Sequence, residues 1–448
     1  MIGGTGRRRH RRWSSCTTTS QARRTHPVGD RTDPLAPSGH PQRAIIVAAS
    51  TAEFDSRTHR LASTLAGRGH DVTVLARAAP GVPSEENRGG IRIRRVSVRW
   101  SSPAETSAMM GRMARAPALV RAAVRASRVA LAAWAQAATT SKVAPRADVV
   151  HAMAVLALPT AFAVARRQGG IPVVYDARDL YPDAANVARL PGPLRRLFGL
   201  QERRWARQAA LVVTVNDAYA DVLERRLGPP RPLVVMNGPP RTALPELGQR
   251  RFHDLLGLAP STRVVLYHGG FSPQRGIEQL IEALGRLGDD TVLVLMGYGR
   301  LEAELRVRAA DPGLRGRLHV LPAVPPEELL DWVASADVAA MPIQPSTLNH
   351  RLTTPNKLYE AMAAGVPVVA ADLPGMARIV RDSGCGILCD PTDPAAIAAA
   401  IDTVLSASPV EHAAWGEAGR KASAGRFAWE AQVEPLLASY ARLTGRPW

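Results

Sequence analysis

The segment Thr354 to Gly375 reads TPNKLYEAMAAGVPVVAADLPG, and within it Lys357 and Glu360 stand at i and i+3. On a helix that spacing sets both side chains on one face. Thr354 suits an N-cap, Pro355 the first helical position and Gly365 a left-handed C-cap, while Pro367 stops the helix before the apolar strand Val368–Ala371. A cation beside the positive end of a helix dipole, with a carboxylate one turn later, suits a nucleoside diphosphate. The cation and the free N–H groups meet the phosphates, and the carboxylate offers paired acceptors to the ribose hydroxyls. A surface ion pair capping a structural helix has the same spacing, and the pattern alone leaves both readings open.

A second segment, YHGGFSPQRGIEQLIEAL from Tyr267 to Leu284, ends an apolar run at Gly269-Gly270 and opens a helix after Arg275-Gly276. Glycines permit close backbone approach. Arg275 would present a fork of donors that never deprotonates, suited to diphosphate oxygens and to charge developing on a departing diphosphate; a solvated residue at a helix start looks the same. The Gly297-Tyr298-Gly299 turn also ends a strand and could pass a ligand. Only Lys142, Lys357 and Lys421 are lysines, so a lysine inside a motif stands out.

The elements around these residues alternate. Ala44–Ala48 is an apolar run, Ser56–Ala66 has a helical period and Asp71–Leu75 is apolar again. Strand-like runs recur at Ile91–Val98, Ala147–His151, Pro172–Asp176, Leu211–Val215 and Pro232–Met236, and Asn237-Gly238-Pro239-Pro240 reads as a linker. A second series runs through Val264–Tyr267, Thr291–Met296, Leu318–Leu321, Val338–Pro342, Val366–Ala371 and Gly386–Cys389. Each series predicts an open parallel sheet wrapped by helices, with ligands beyond the carboxyl ends of the strands. The expected fold class is α/β, with boundaries at 43–236, 241–425 and a final helical segment, 426–448.

The chain of 448 residues carries 57 basic and 39 acidic residues, a net charge of +18. Residues 1–42 are Arg-, Ser-, Gly- and Pro-rich without apolar periodicity and are expected to be a disordered basic extension. No apolar segment follows its basic cluster, which argues against a secretory signal and for a cytoplasmic location. Cys16, Cys385 and Cys389 are too few for a disulfide framework and fit no zinc spacing. Ser107 to Thr140 is an Ala-rich helical stretch carrying Arg112, Arg115, Arg121, Arg125 and Arg128, which Pro117 should break. Docking on anionic lipid at the inner membrane face and packing as an ordinary outer helix are both compatible with it. No zinc, RNA-sheet or helix-turn-helix signature accompanies the charge, so nucleic acid is not an expected partner.

Gly269–Glu282, the LMGYGR turn, VASADVAAMP at Val333–Pro342 and PNKLYEAMAAGVPVVAAD together resemble the family-four retaining glycosyltransferases of the GT-B fold. In the amino half, DSRTHRLASTLAGRGHDVTVLAR at Asp55–Arg77 and YDARDLYPD at Tyr175–Asp183 extend the likeness. The resemblance implies two facing Rossmann-like domains, a final helix crossing back to the first, and transfer of a sugar, with retention of configuration, from a nucleotide-diphosphate sugar to a carbohydrate, lipid-linked or small-molecule acceptor. It also implies no metal and no resident cofactor. Carried onto this chain, Glu360 holds the ribose and Arg275 neutralises the diphosphate. Gly269, Gly270, Gly297 and Leu358 join Lys357 along the donor, and Val324, within Ala323–Pro325, lies by the base. Asp176 and Asp179 are candidates to orient an acceptor hydroxyl, and His151 faces the same cleft. Catalytic roles are expected of Arg275, Lys357 and Asp176.

Three positions depart from the family pattern. Leu352 stands where a second glutamate often holds the donor sugar, Gly270 where an arginine often completes the phosphate clamp, and Arg178 where a histidine commonly sits. Arg178 is a poor base because it does not deprotonate near neutrality. Those departures keep two rivals in view: a sugar-nucleotide epimerase and a non-catalytic sugar-nucleotide-binding protein.

Overall fold

In the computed structural model the described residues are 41–53, 55–97, 117–184, 187–314 and 316–448. The expected basic extension therefore lies outside the described residues as far as residue 40, as do Cys16, Arg112 and Arg115. Gln42 is already buried, its N–H donating to His70 Nδ1 at 3.2 Å.

The first sheet contains β1 (Arg43–Ala48), β2 (Asp71–Arg77), β3 (Glu85–Arg88), β4 (Ile91–Val96), β5 (Val149–Met153), β6 (Val173–Ala177), β7 (Leu211–Thr214) and β8 (Leu233–Val234). Their order is β3-β4-β2-β1-β5-β6-β7-β8, parallel throughout except where β3 runs antiparallel to β4. The edge strand β3, EENR, is too polar to be found from apolar periodicity. The second sheet contains β9 (Arg263–Gly270), β10 (Thr291–Tyr298), β11 (Leu318–Pro322), β12 (Val338–Met341), β13 (Val368–Ala371) and β14 (Gly386–Cys389), ordered β11-β10-β9-β12-β13-β14 and wholly parallel. Strand order reverses between β1 and β5 in one sheet and between β9 and β12 in the other, and such reversal points open the crevices where ligands bind.

The final helix, Trp429–Thr444, buries Trp429, Val433, Leu436, Leu437 and Tyr440 with Ile46, Leu61 and Val74 of the first sheet's core. Phe427, just before it, belongs instead to the second sheet's core beside Tyr359, ring centroids 5.5 Å apart. The chain thus returns to the amino half at Ala428, where the Trp429 N–H donates to the carbonyl of linker residue Pro239 at 3.1 Å. The Arg-bearing stretch forms the helix Ala118–Val143 with Pro117 as its cap. No described helix is long and apolar enough to cross a membrane. Cys385 and Cys389 are free, buried thiols.

Candidate functional site

β9 ends at the reversal point of its sheet in Tyr267-His268-Gly269-Gly270, paired in register with β10 so that Gly297 lies opposite Gly269. The two backbones meet so closely that a Cβ on Gly297 would collide with the Gly269 carbonyl. The loop that follows places Gln274 at φ 69° and Gly276 at φ 79°, and a Cβ at Gly276 would collide with the Pro342 carbonyl. Two left-handed residues in three turn the chain sharply and carry Arg275 between them, half-buried. Arg275 makes no hydrogen bond or ion pair among the described residues, and its charge acts on Lys357, His350 and Asp179.

The helix Asn356–Ala364 begins one residue later than its sequence suggests. Pro355 is the cap, with ψ at 147°, because the Thr354 hydroxyl is engaged by Asn216 Nδ2 at 3.2 Å rather than by the helix. Gly365 closes the helix in the expected left-handed conformation, φ 70°. Lys357, one residue into the helix, is buried over the Tyr267 ring, its Nζ 3.4 Å from the centroid, and has no hydrogen-bond partner. Burial, reinforced by Arg275, pushes its pKa well below the ordinary lysine value. Glu360, one turn on, is also buried. His268 Nε2 lies 3.1 Å from its Oε2 and Arg60 Nη2 lies 3.6 Å from its Oε1. Burial alone would raise the Glu360 pKa, but the His268 hydrogen bond, His268, Arg60 and Lys357 hold it below the usual carboxylate value.

Of the expected donor residues, Gly269, Gly297, Arg275, Lys357 and Glu360 gather at one place. Leu358 is fully buried in the core, since the next position round the helix from Lys357 points inward, and its N–H already donates to Pro355 O at 3.0 Å. Its side chain contributes packing. Val324 packs against the same core from the loop after β11, half-buried, on the far side of β10 from β9. Gly270 is exposed at the strand end.

On the amino side the structure corrects two expectations. His151 is fully buried, with Nδ1 2.6 Å from the Tyr440 hydroxyl and Nε2 3.2 Å from Asp176 Oδ2, so it faces the final helix rather than the cleft. Asp176, 1% exposed, accepts from Arg57 Nε at 2.7 Å, while Arg57 Nη1 donates to Val235 O at 2.7 Å. The Arg57 charge, together with His151, overrides burial and holds this carboxyl far below the ordinary range. Its Oδ2 is engaged in an ion pair inside the fold, while Oδ1 is buried without a hydrogen-bond partner, so the carboxylate is not open to the cleft. Arg178 donates to Asp55 Oδ1 at 2.7 Å and Asp179 accepts from Asn349 Nδ2 at 3.0 Å.

Asn349 was not among the sequence candidates. It enters the amino half from the short helix Leu348–Leu352, its Oδ1 accepting from the Leu180 N–H and the Tyr219 hydroxyl, both at 2.7 Å. Leu352 packs against the amino-half core and its carbonyl accepts from Asn216 Nδ2 at 3.0 Å. The position that departs from the family glutamate thus holds the two halves together. His268 and Arg60 were missed as well; the only signal for them was a histidine just before a Gly-Gly strand end and a basic i, i+3 pair, Arg57 and Arg60, on the first helix.

Two family descriptions match the chain: Glycosyl transferase 4-like domain over residues 55–239 and Glycosyl transferases group 1 over residues 249–422. The chain belongs to the family-four, group 1 glycosyltransferases. Among curated relatives, D-inositol 3-phosphate glycosyltransferase from Geodermatophilus obscurus is 32% identical over 65% of this chain and 66% of its own length. The protein of the same name from Xylanimonas cellulosilytica is 28% identical over 86% of this chain and 90% of its own. Solved structures give the fold: sucrose-phosphate synthase from Thermosynechococcus elongatus has a TM-score of 0.69 at 19% identity, covering 90% of this chain and 99% of that one. HepE of Anabaena, in complex with UDP and glucose, has a TM-score of 0.67 at 17% identity, covering 90% and 100%. The architecture is GT-B, and the glycosyltransferase buries Lys357 and Glu360 beside the carboxyl-half reversal point. Among its described residues no group of three or more His, Cys, Asp or Glu is gathered as a metal site.

Proposed function

We propose that this glycosyltransferase moves a sugar from a nucleoside-diphosphate sugar to an acceptor hydroxyl, with retention of anomeric configuration and without a metal ion. One observation carries the reading: Lys357 Nζ is buried without an acceptor, at the start of a helix, one turn before a buried carboxylate. A buried ammonium without a hydrogen-bond acceptor is costly even beside Glu360 and the Tyr267 ring, and an anionic ligand offsets that cost. In this reading the diphosphate lies between Lys357, Arg275 and the Gly269-Gly270 turn, and Glu360 accepts from the ribose hydroxyls. As the sugar C1–O bond to the diphosphate breaks, Arg275 and Lys357 meet the charge that develops on the leaving oxygen. The acceptor oxygen bonds to C1 on the same face and passes its proton to that departing oxygen. No side-chain base is required, in keeping with Asp176 and His151 being committed inside the fold.

HepE in complex with UDP, and relatives named for inositol 3-phosphate, make UDP-glucose and a polyol phosphate sensible first substrates to assay, alongside carbohydrate and lipid-linked acceptors. Membrane contact, where the acceptor is a lipid, falls to the exposed Leu131 and Trp134 of the helix Ala118–Val143. The test is calorimetric titration of UDP, GDP, ADP and TDP in EDTA, followed by NMR of the product formed with the nucleotide that binds. Micromolar binding in EDTA and a product with the donor's anomeric coupling constant are expected; a metal requirement or an inverted product would overturn the mechanism.

A further inference from the structure

Glu360 is gripped from both halves of the molecule. His268 comes from β9 of its own half, whereas Arg60 comes from the helix Ser56–Gly67 of the other. The Arg60 guanidinium is anchored where the halves join: Nη1 donates at 2.7 Å to the carbonyl of Asn237 in the linker, and Nη2 faces Glu360. Asn237 in turn donates through Nδ2 to Asn356 Oδ1 at 2.8 Å, and Asn356 Nδ2 donates to Ser56 Oγ at 3.1 Å. The helix that carries Lys357 and Glu360 is therefore tied to the amino half at its first residue and again one turn later. At 3.6 Å the Arg60 contact is longer than a hydrogen bond, so it supplies opposite charge while leaving the lone pairs of Oε1 available.

We propose that Arg60 is a positioning residue for the donor: acting through Glu360, it holds the carboxylate aimed at the nucleotide, so that a side chain of the amino half sets part of the nucleotide affinity of the carboxyl half. The proposal rests on the donor-site reading above. The amino half thereby contributes to donor binding as well as to the acceptor side.

The test is calorimetric titration of UDP, in EDTA, into wild type, Arg60→Ala, Arg60→Lys, Glu360→Gln and the double variant Arg60→Ala/Glu360→Gln, with thermal unfolding of each. Arg60→Ala should weaken UDP about tenfold, Arg60→Lys should recover most of that loss, and in the Glu360→Gln background Arg60→Ala should add less than about twofold, because two groups acting as one unit are not additive. In turnover assays Arg60→Ala should raise the donor KM with kcat little changed. A purely architectural Arg60 would lower the unfolding temperature, leave UDP affinity unchanged or give additive losses, and that result overturns the proposal. If Glu360→Gln loses UDP while Arg60→Ala keeps it, only the role of Arg60 falls. If wild type binds none of UDP, GDP, ADP and TDP, the donor-site reading itself fails and takes this inference with it.

Discussion

Two buried charge clusters sit at the carboxyl ends of the two sheets, built from the same kinds of side chain. In the amino half, Asp176, Arg57, His151 and Tyr440 satisfy one another's charge at 2.6–3.2 Å. In the carboxyl half, Glu360 has partners, but Lys357 beside it rests on the Tyr267 ring with no acceptor. Both clusters are buried, so burial by itself does not distinguish a site from a strut. The difference is whether charge is cancelled inside the fold. The first cluster locks the final helix to the strands it crosses; the second leaves a buried ammonium without a hydrogen-bond acceptor, a place that suits an anionic ligand.

The largest expected effect breaks the first cluster. Asp176→Ala removes one partner of a buried pair and strands Arg57, which should cost about 3–5 kcal/mol of stability in urea denaturation. A loss below about 1 kcal/mol accompanied by lost turnover would move Asp176 back among the catalytic residues. Next, Glu360→Ala should weaken nucleotide binding by about 1.5–3 kcal/mol, the worth of a charged hydrogen bond, in calorimetry.

Lys357→Met should have opposite signs in two experiments. Nucleotide binding should be lost, while the empty protein should become more stable by about 1–3 kcal/mol at pH 7, because an unpartnered buried cation is removed. The sign with pH follows from linkage. A lysine whose folded pKa is depressed binds fewer protons folded than unfolded, so wild-type stability rises with pH between the folded value and about 10.4, and the variant's advantage should shrink across that window. Denaturation at pH 7 and pH 9.5 measures both; an advantage that grows with pH would show that Lys357 is not buried as a strained cation. Arg275→Ala should lower kcat more than it weakens nucleotide binding if it serves the leaving group, and equal losses in binding with kcat intact would reassign it to ground-state binding.

The smallest effect sharpens the contrast from the other side. Tyr440→Phe deletes the hydroxyl at His151 Nδ1 and should cost about 1 kcal/mol of stability with donor KM unchanged.

The two series of alternating strands and helices, the linker, the helix bearing Lys357 and Glu360, its glycine cap and the helical period of the final segment were all legible in the chain, whereas the return of that last helix to the first domain was implied by the family resemblance. Each is a local matter of period, cap or turn chemistry, written within a dozen residues. Strand β3 was not, because its residues are polar and only pairing with β4 makes it a strand. The cap at Pro355 was missed by one position because Asn216, far away in sequence, claims the Thr354 hydroxyl.

The candidate site divides the same way. Sequence alone determined that a lysine and a glutamate share the first turns of one helix, beside a Gly-Gly strand end and an arginine. Only the tertiary structure decided that Lys357 is left without an acceptor, that His268 and Arg60 hold Glu360 from opposite halves, that Leu358 turns into the core, and that Asp176 and His151 pair with Arg57 and Tyr440. The physical reason is that a side chain's type and helical phase are local, whereas the charge state and availability of a buried group are set by what lies within about 4 Å of it. Those neighbours come from strands and helices up to 300 residues distant in the chain, as Asn356 and Ser56 do.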